Sequence, residues 1–395
     1  MCRYANENLI RFFLYYKNAQ FLNFRNFTEL SVEFLPQINV FIGQNGQGKT
    51  NILEGLFLMT QGESFRYGDN YTFIQHQQKE AILRTQLQNL ELQWDIQLQI
   101  LKSKKNLILN GKKSTSAQCS EKFPVVIFSP ESLSAIKEGD DQRRILVDSL
   151  LSTTHPGLQN TLQAFRKALK TRNRVIKDHL QGLSSEQETK NLLESLNPAF
   201  LKLATQVTYA RIEALRAIAS DFQNTMCAIS KLKNVDISVE YVISGQNALE
   251  FDQNSVFNLL QKRVVELASA ELASGTTLVG PHKHDITFLY NQNDSRFFCS
   301  QGQQRALILS FKMAQIVYHR RVHKSEPVLM LDDVLSELDF EKRKALISFL
   351  NETETQIFIS TTDLSLPDME MKNMKAKGIA VFNLENGRIL ERSVI

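Results

Sequence analysis

Residues 43–50 read Gly43-Gln44-Asn45-Gly46-Gln47-Gly48-Lys49-Thr50, a GxxxxGK[ST] loop. An apolar strand pattern (Ile38, Val40, Ile42) precedes it, and one apolar helix face (Ile52, Leu53, Leu56, Phe57) follows. A strand, a glycine-rich turn and a helix in that order leave few alternatives for the local fold. Glycines let consecutive backbone N–H groups turn inward and come close to phosphate oxygens. The helix start adds the positive end of its dipole. In this geometry Lys49 reaches the β- and γ-phosphates of a nucleoside triphosphate, and Thr50 offers a hydroxyl to Mg2+. All eight residues are therefore candidate nucleotide ligands.

A second segment, Pro327-Val328-Leu329-Met330-Leu331-Asp332-Asp333, reads as a fully buried strand that ends in two carboxylates. Beside a phosphate loop, Asp332 suits the Mg2+ coordination shell, and Asp333 suits orienting or deprotonating an attacking water. The catalytic candidates are thus Lys49, Asp332 and Asp333, and the metal candidates Thr50 and Asp332. A third segment, Ser300-Gln301-Gly302-Gln303-Gln304-Arg305, opens a helical stretch from Ala306 to about Tyr318. Ser300, Gly302 and Gln303 could present hydroxyl and N–H groups to an anion; alone, the serine would be read as a helix N-cap. It precedes the Asp332 strand by about 30 residues, as the signature motif of ABC-type ATPases precedes Walker B. Ser336-Glu337-Leu338-Asp339 falls where those ATPases carry a D-loop. A strand Gln356–Ile359 runs into Ser360-Thr361-Thr362-Asp363, with Thr362 where many have a switch histidine. A threonine there can hydrogen-bond a γ-phosphate but cannot change charge near neutral pH.

Periodicity organises the rest. From 90 to 100 the apolar Leu90, Leu92, Trp94, Ile96, Leu98 and Ile100 alternate with polar residues, the pattern of a strand with one buried face. Leu107–Leu109 followed by Asn110-Gly111 predicts a hairpin. From about 140 to 230 helical spacing dominates (Leu162, Phe165, Leu169, Ile176, Leu180, then Leu201 to Ala219); Asp236–Ile243 alternates like a strand, and strands and helices interleave after Gly275. The expected division is 1–150 for the first half of a head with the phosphate loop and an antiparallel lobe, 151–235 for a helical insertion, and 236–395 for the second half. At 43% hydrophobic and 22% charged, the chain is an ordinary globular sequence, which excludes disordered and collagen-like classes. No apolar run reaches the ~18 residues of a membrane span, and Leu9–Tyr16 is broken by Arg11 and lacks a cleavage site. Cys2, Cys119, Cys227 and Cys299 form no CxxC pair. The expected setting is the reducing cytoplasm, without a membrane. A net charge of +4 permits an anionic partner without requiring one.

Together the flank GQNGQGKTNILE, the signature SQGQQR, the block LDDVLSELD and the opening LNFRNF (Leu22–Phe27) resemble the RecF family, bacterial DNA-repair ATPases of the SMC-like branch of ABC ATPases. The resemblance runs from about Leu22 to Asp363. It implies an α/β fold: an ABC-type P-loop ATPase head with a mixed sheet and an antiparallel β lobe, interrupted by a helical arm. It implies ATP and Mg2+ as cofactors and an ATP-dependent homodimer. In that dimer nucleotide lies between Lys49 and Thr50 of one copy and Ser300–Gln303 of the other. It further implies slow, DNA-stimulated hydrolysis used as a switch, binding to single-stranded, gapped or junction DNA, and help to RecO and RecR in loading RecA during gap repair, replication restart and SOS induction. By position in the same pattern, Arg25 and Arg66 would contact phosphate. Some features depart from it. About twenty residues precede Leu22; Gly280-Pro281-His282 continues Lys283-His284-Asp285, where relatives show an arginine and two acids; and Gly55 sits inside a helix, at up to ~1 kcal/mol relative to alanine.

Arg166, Lys170, Arg174 and Lys177 recur at spacings of four, four and three, with Lys167 and Arg172 beside them, as one basic stripe on the arm. The stripe fits a phosphate backbone, and it equally fits a solvated helix face. Arg143 and Arg144 carry the same two readings. His319 and His323, four apart beside Arg320, Arg321 and Lys324, suit a helix C-terminus better than a metal site. His282 is read as a loop brace. The rival reading is an ABC-type subunit of another machine, a transporter or a chromosome-organising complex. Transporter ATPases place the signature much nearer the phosphate loop than the about 250 residues between Thr50 and Ser300. A nuclease-coupled ATPase would need a further acidic metal domain after Asp363, and a scaffold with a dead site would be expected to lack Lys49 or Asp332.

Overall fold

A computed structural model describes residues 14–66, 68–89, 92–155, 157–230, 235–362 and 378–394. Asp363, Leu90 and Cys2 thus lie outside the described residues. The backbone divides into two compact units, Met1–Pro130 with Ile316–Ile395, and Glu131–Gln315. These boundaries differ from 150/151 and 235/236. The helical middle keeps its company with the four short strands and the helices that follow it as far as Gln315, so the inserted unit is wider than the change of periodicity suggested.

Among its described residues the first unit holds two six-stranded sheets. One is antiparallel, in the order 27–33, 15–24, 80–88, 93–101, 105–109, 112–114. The other runs 388–394, 379–385, 38–42, 357–361, 328–332, 125–128, with every pairing parallel except that of the edge strand 388–394. The latter reads as continuous apolar runs (INVFI, VLMLD, IFIST, VVIF), all buried, as parallel strands covered on both faces must be. The helix Lys49–Gln61 buries Ile52, Leu53, Leu56, Leu58 and Met59 in one cluster with residues of both sheets. Phe34, Phe41, Phe358 and Phe382 form its aromatic centre, with ring centroids 5.0–6.4 Å apart.

Gly55 is explained by this packing: a Cβ there would lie 2.3 Å from Cε1 of Phe21. The helix gives up propensity so that the sheet can approach. One alternation reading needs correction. Leu92, expected on a buried face, is 55% exposed, because it belongs to the turn in which Asn89 and Leu92 bond each other, and the strand begins at Gln93. The predicted hairpin at Asn110-Gly111 forms with both residues at positive φ (49° and 74°).

The second unit contains the helices Asp140–Thr154, Leu158–Leu180 and Glu186–Ser230, and a small antiparallel sheet ordered 246–247, 237–243, 285–290, 293–294. The 45-residue helix spans about 68 Å at 1.5 Å per residue, and with Leu158–Leu180 it makes the helical arm. Among the described residues no helix is long and apolar enough to cross a membrane.

Candidate nucleotide site

The parallel sheet brings its functional residues together by register. Thr361 pairs with Ile42, at the foot of the phosphate loop, and Ser360 pairs with Asp332. Gly43 N–H donates to Thr361 O at 3.4 Å. Three adjacent strand ends therefore deliver the loop, the carboxylates and the Ser360–Thr362 run to one edge, where open α/β sheets bind ligands.

Within the loop Gly48 adopts φ 108°, and a Cβ there would lie 2.8 Å from both Asn26 Nδ2 and Phe27 Cζ. Only glycine serves that position. Gln44, Asn45 and Gly46 face solvent. Lys49 is 3% exposed, and its ammonium donates to Gly43 O (2.8 Å) and Gln44 O (3.1 Å). The ammonium also lies 3.9 Å from Asp333 Oδ2. Thr50 Oγ1 donates to Asp332 Oδ1 at 2.8 Å, which joins the two motifs across 282 residues of sequence. Ser360 Oγ donates to the same oxygen (2.7 Å) and accepts from Asp333 N–H (2.9 Å). Asp333 itself is left-handed at φ 48°, and its buried Oδ1 has no hydrogen-bond partner among the described residues. A left-handed non-glycine residue with an orphaned carboxylate oxygen is a strained arrangement of the kind found at working sites. Thr362 is exposed just beyond the strand.

Sequence reasoning passed over Ser360, because only the observed register makes Ser360 the partner of Asp332. It also passed over the outer support of the loop: Asn26 donates to Gln47 O (3.3 Å) and accepts from Asn51 (2.7 Å), and Asn386 N–H donates to Gln47 Oε1. Asn386 lies in the last hairpin, over 300 residues away, with no local signal to mark it.

The signature segment belongs to the other unit. Ser300 Oγ accepts from Gln303 N–H (3.2 Å), and Gln303 Oε1 accepts from Ser300 N–H (2.9 Å), a reciprocal capping box at the start of helix Gln301–His323. Ser300 is exposed and Gly302 and Gln303 are half-buried. In the segment expected to be a D-loop, Ser336 donates to Asp333 O (2.7 Å), and Asp339 caps the helix Phe340–Glu352 through Lys342 N–H (3.0 Å).

Several basic candidates are structural. Arg25 gives Nε and Nη2 to the buried Glu54 (2.9 and 2.7 Å) and Nη1 to Thr72 O (2.9 Å), so its guanidinium is committed within the fold. Arg66 reaches Asn51 Oδ1 at 3.4 Å. Arg143 is 2% exposed and bound to Asp285, and Arg144 holds Asp141 and His284 O. Arg172 leaves the basic stripe: it is 1% exposed and bonds Glu271, Thr277 and Asn197. Arg166, Lys167, Lys170, Arg174 and Lys177 are all exposed on helix Leu158–Leu180, with Arg174 3.8 Å from Asp178. His282 bonds Thr277 O, and burial lowers its pKa to about 4. His284, beside Tyr241, is likewise held neutral by burial. The rings of His319 and His323 lie 4.5 Å apart, and no group of three or more potential metal ligands occurs among the described residues.

A parallel sheet with a phosphate loop, paired acids and a helical insertion defines the ATPase-head class shared by RecF, RecN and SMC proteins. The sequence family described as RecF/RecN/SMC N terminal domain matches residues 15–388. Within that class the chain belongs to the RecF family. It is 32% identical over 346 residues to the DNA replication and repair protein RecF of Heliobacterium modesticaldum, covering 87% of this chain and 91% of the relative. It also matches a solved structure of the recombination mediator protein RecF-ATPrS in the RecFOR pathway, with a TM-score of 0.82, 26% identity, and coverage of 96% of this chain and 98% of the other. An Smc head domain with an extended coiled coil from Pyrococcus furiosus shares the fold, with a TM-score of 0.51 and 15% identity over 97% and 96% of the two chains.

Proposed function

We propose that this protein is an ATP-gated DNA-binding switch of recombinational gap repair, replication restart and SOS induction, working with RecO and RecR to load RecA. The observation that carries the reading is the junction of Thr50 with Asp332 at 2.8 Å, beside the orphaned Asp333 Oδ1 and the buried Lys49. Hard oxygen donors in this set fit Mg2+, which prefers carboxylate, hydroxyl and phosphate oxygens. The P-loop N–H groups and Lys49 fit the phosphates of ATP. Bound Mg2+ would neutralise charge on the terminal phosphates.

Lys49 exchanges its two loop carbonyls for phosphate oxygens. Thr50 and Asp332 hold the metal, with Ser360 fixing the carboxylate's orientation. Asp333, free on one oxygen, orients the attacking water. Thr362, exposed just beyond the strand end, would hydrogen-bond a terminal phosphate. Ser300, Gly302 and Gln303 of a second copy close over the nucleotide, so the terminal phosphate supplies differential affinity for the paired state, and hydrolysis removes it. In this reading 1–150 and 236–395 supply the two halves of the head, and 151–235 the arm. Arg166, Lys170, Arg174 and Lys177 meet the DNA backbone.

Sedimentation velocity and DNA titration, each with and without ATP, test the proposal. ATP should double the mass and tighten DNA binding together. A nucleotide-loaded chain that remains single at all concentrations overturns it.

A further inference from the structure

Asp285, which opens the strand Asp285–Tyr290, plays no part in the site described above, yet two arginines meet on it. Its Oδ1 accepts from Arg143 Nε (3.0 Å) and Nη2 (2.8 Å) and from Ile286 N–H (2.7 Å). Its Oδ2 accepts from Arg296 Nη1 at 2.8 Å. Arg296 is also clamped by Asp294 through Nε and Nη2, and its own N–H caps onto Asp294 Oδ1 at 2.9 Å. Residues Ser295–Phe298 form a single helical turn leading directly into Ser300. The buried Gln304 side chain, one turn into the signature helix, donates back to the carbonyls of Ser295 (2.7 Å) and Arg296 (3.5 Å).

The turn has little apolar anchorage of its own, since Phe297 and Phe298 are 76% and 71% exposed. What holds it is polar: the charge-assisted chain Arg143–Asp285–Arg296, with Asp294 on the same arginine, and then Gln304. Such bonds are short, directional and about twice as strong as neutral ones. The far end is firm, because Arg143 lies on helix Asp140–Thr154. That helix also bonds the arm through Asp148–Arg211 (2.8 Å) and the signature helix through Ser149 with Lys312 and Gln315 (2.9 Å each).

We propose that Asp285 is a positioning residue for the signature segment: its carboxylate, shared by Arg143 and Arg296, sets the orientation in which Ser300 and Gln303 meet nucleotide on a second copy of the chain. The assignment rests on the nucleotide-gated pairing proposed above. It also accounts for the departure at Lys283-His284-Asp285. Of the two acids usual there, the one retained at 285 is bound to both arginines, while His284 is a buried neutral partner of Tyr241.

The test compares Asp285→Asn, Asp285→Glu, Arg296→Gln and, as a control, Asp140→Asn, which removes the more exposed partner of Arg143. A fluorescent ATP analogue titrated at low protein concentration reads the affinity of the single chain, and sedimentation velocity reads ATP-driven pairing. Asp285→Asn and Arg296→Gln should weaken pairing about ten-fold or more, with single-chain nucleotide affinity unchanged. Asp285→Glu should recover part of the loss, and Asp140→Asn should pair like the wild type. If Asp285→Asn does not fold, Arg296→Gln decides, since Arg143–Asp285 survives in it. Wild-type pairing together with unaffected Arg296→Gln and Asp285→Asn pairing overturns this assignment alone, as does an equal loss of nucleotide affinity. A wild-type chain that binds ATP and stays single overturns the gated reading and this assignment with it.

Discussion

Lys49 and Asp333 face each other at 3.9 Å, and their substitutions should separate binding from turnover. Lys49→Ala removes the only side-chain cation of the phosphate loop and should cut ATP affinity about 100-fold or more, read by calorimetry. Asp333→Asn keeps the shape and the metal-side Asp332, so it should bind ATP normally, lose turnover by about 100-fold and accumulate the paired state on light scattering. An Asn variant that binds ATP and is as monomeric as the nucleotide-free chain would refute Asp333's role. The arginines teach a different lesson. Arg25, Arg143 and Arg172 look like surface cations in the sequence, and each instead neutralises an acid inside the fold (Glu54, Asp285, Glu271). Their partners lie 29, 142 and 99 residues away, beyond any local pattern.

Among the elements, the helix Lys49–Gln61 carries the loop and also a very close contact with the strand Tyr15–Phe24. Gly55→Ala should gain up to ~1 kcal/mol of helix propensity and lose more through the 2.3 Å clash with Phe21, for a net destabilisation of about 1–3 kcal/mol in urea unfolding. A more stable alanine variant would show that the strand can retreat. On the arm, replacing Arg166, Lys170, Arg174 and Lys177 by Glu should weaken DNA binding and lower the slope of log K against log salt by about 0.7–0.9 for each phosphate no longer neutralised. An unchanged slope would return the stripe to the status of a solvated face. Its exposure supports a surface role, and the burial of Arg172 leaves Lys167 as the one side chain that widens it.

Part of the whole molecule's response to pH follows from groups buried in the second unit. Burial lowers Lys312 from 10.5 to about 8 and His282 from 6.5 to about 4. In both cases the unfolded chain binds the proton more readily, so stability rises with pH across each window, 4 to 6.5 for the histidine and 8 to about 10 for the lysine. Below the lower window both states are protonated and the dependence on His282 ends. Lys312→Met should therefore flatten the urea midpoint between pH 8 and 10 relative to wild type. It should also stabilise the protein at pH 7, because it removes a buried ammonium. Equal slopes for the two proteins would place that lysine in contact with water.

What the sequence determined by itself was everything carried by near neighbours. The phosphate loop, the acid pair at the end of an apolar strand, the period-two and helical segments and the Asn110-Gly111 turn all depend on residues within about ten positions, where backbone geometry repeats. Even the capping box of Ser300 and Gln303 could be read, since it spans three residues. Tertiary structure alone decided which strand ends stand side by side and which charges are internal. It put Ser360 on Asp332, Asn386 on Gln47, and Asp285 between Arg143 and Arg296. It also moved the unit boundaries to 130/131 and 315/316 and turned Leu92 outward. The physical reason is the same throughout: burial and long-range pairing are properties of the packed chain, set by what arrives from elsewhere, and a one-dimensional pattern records the residue but not its neighbour in space.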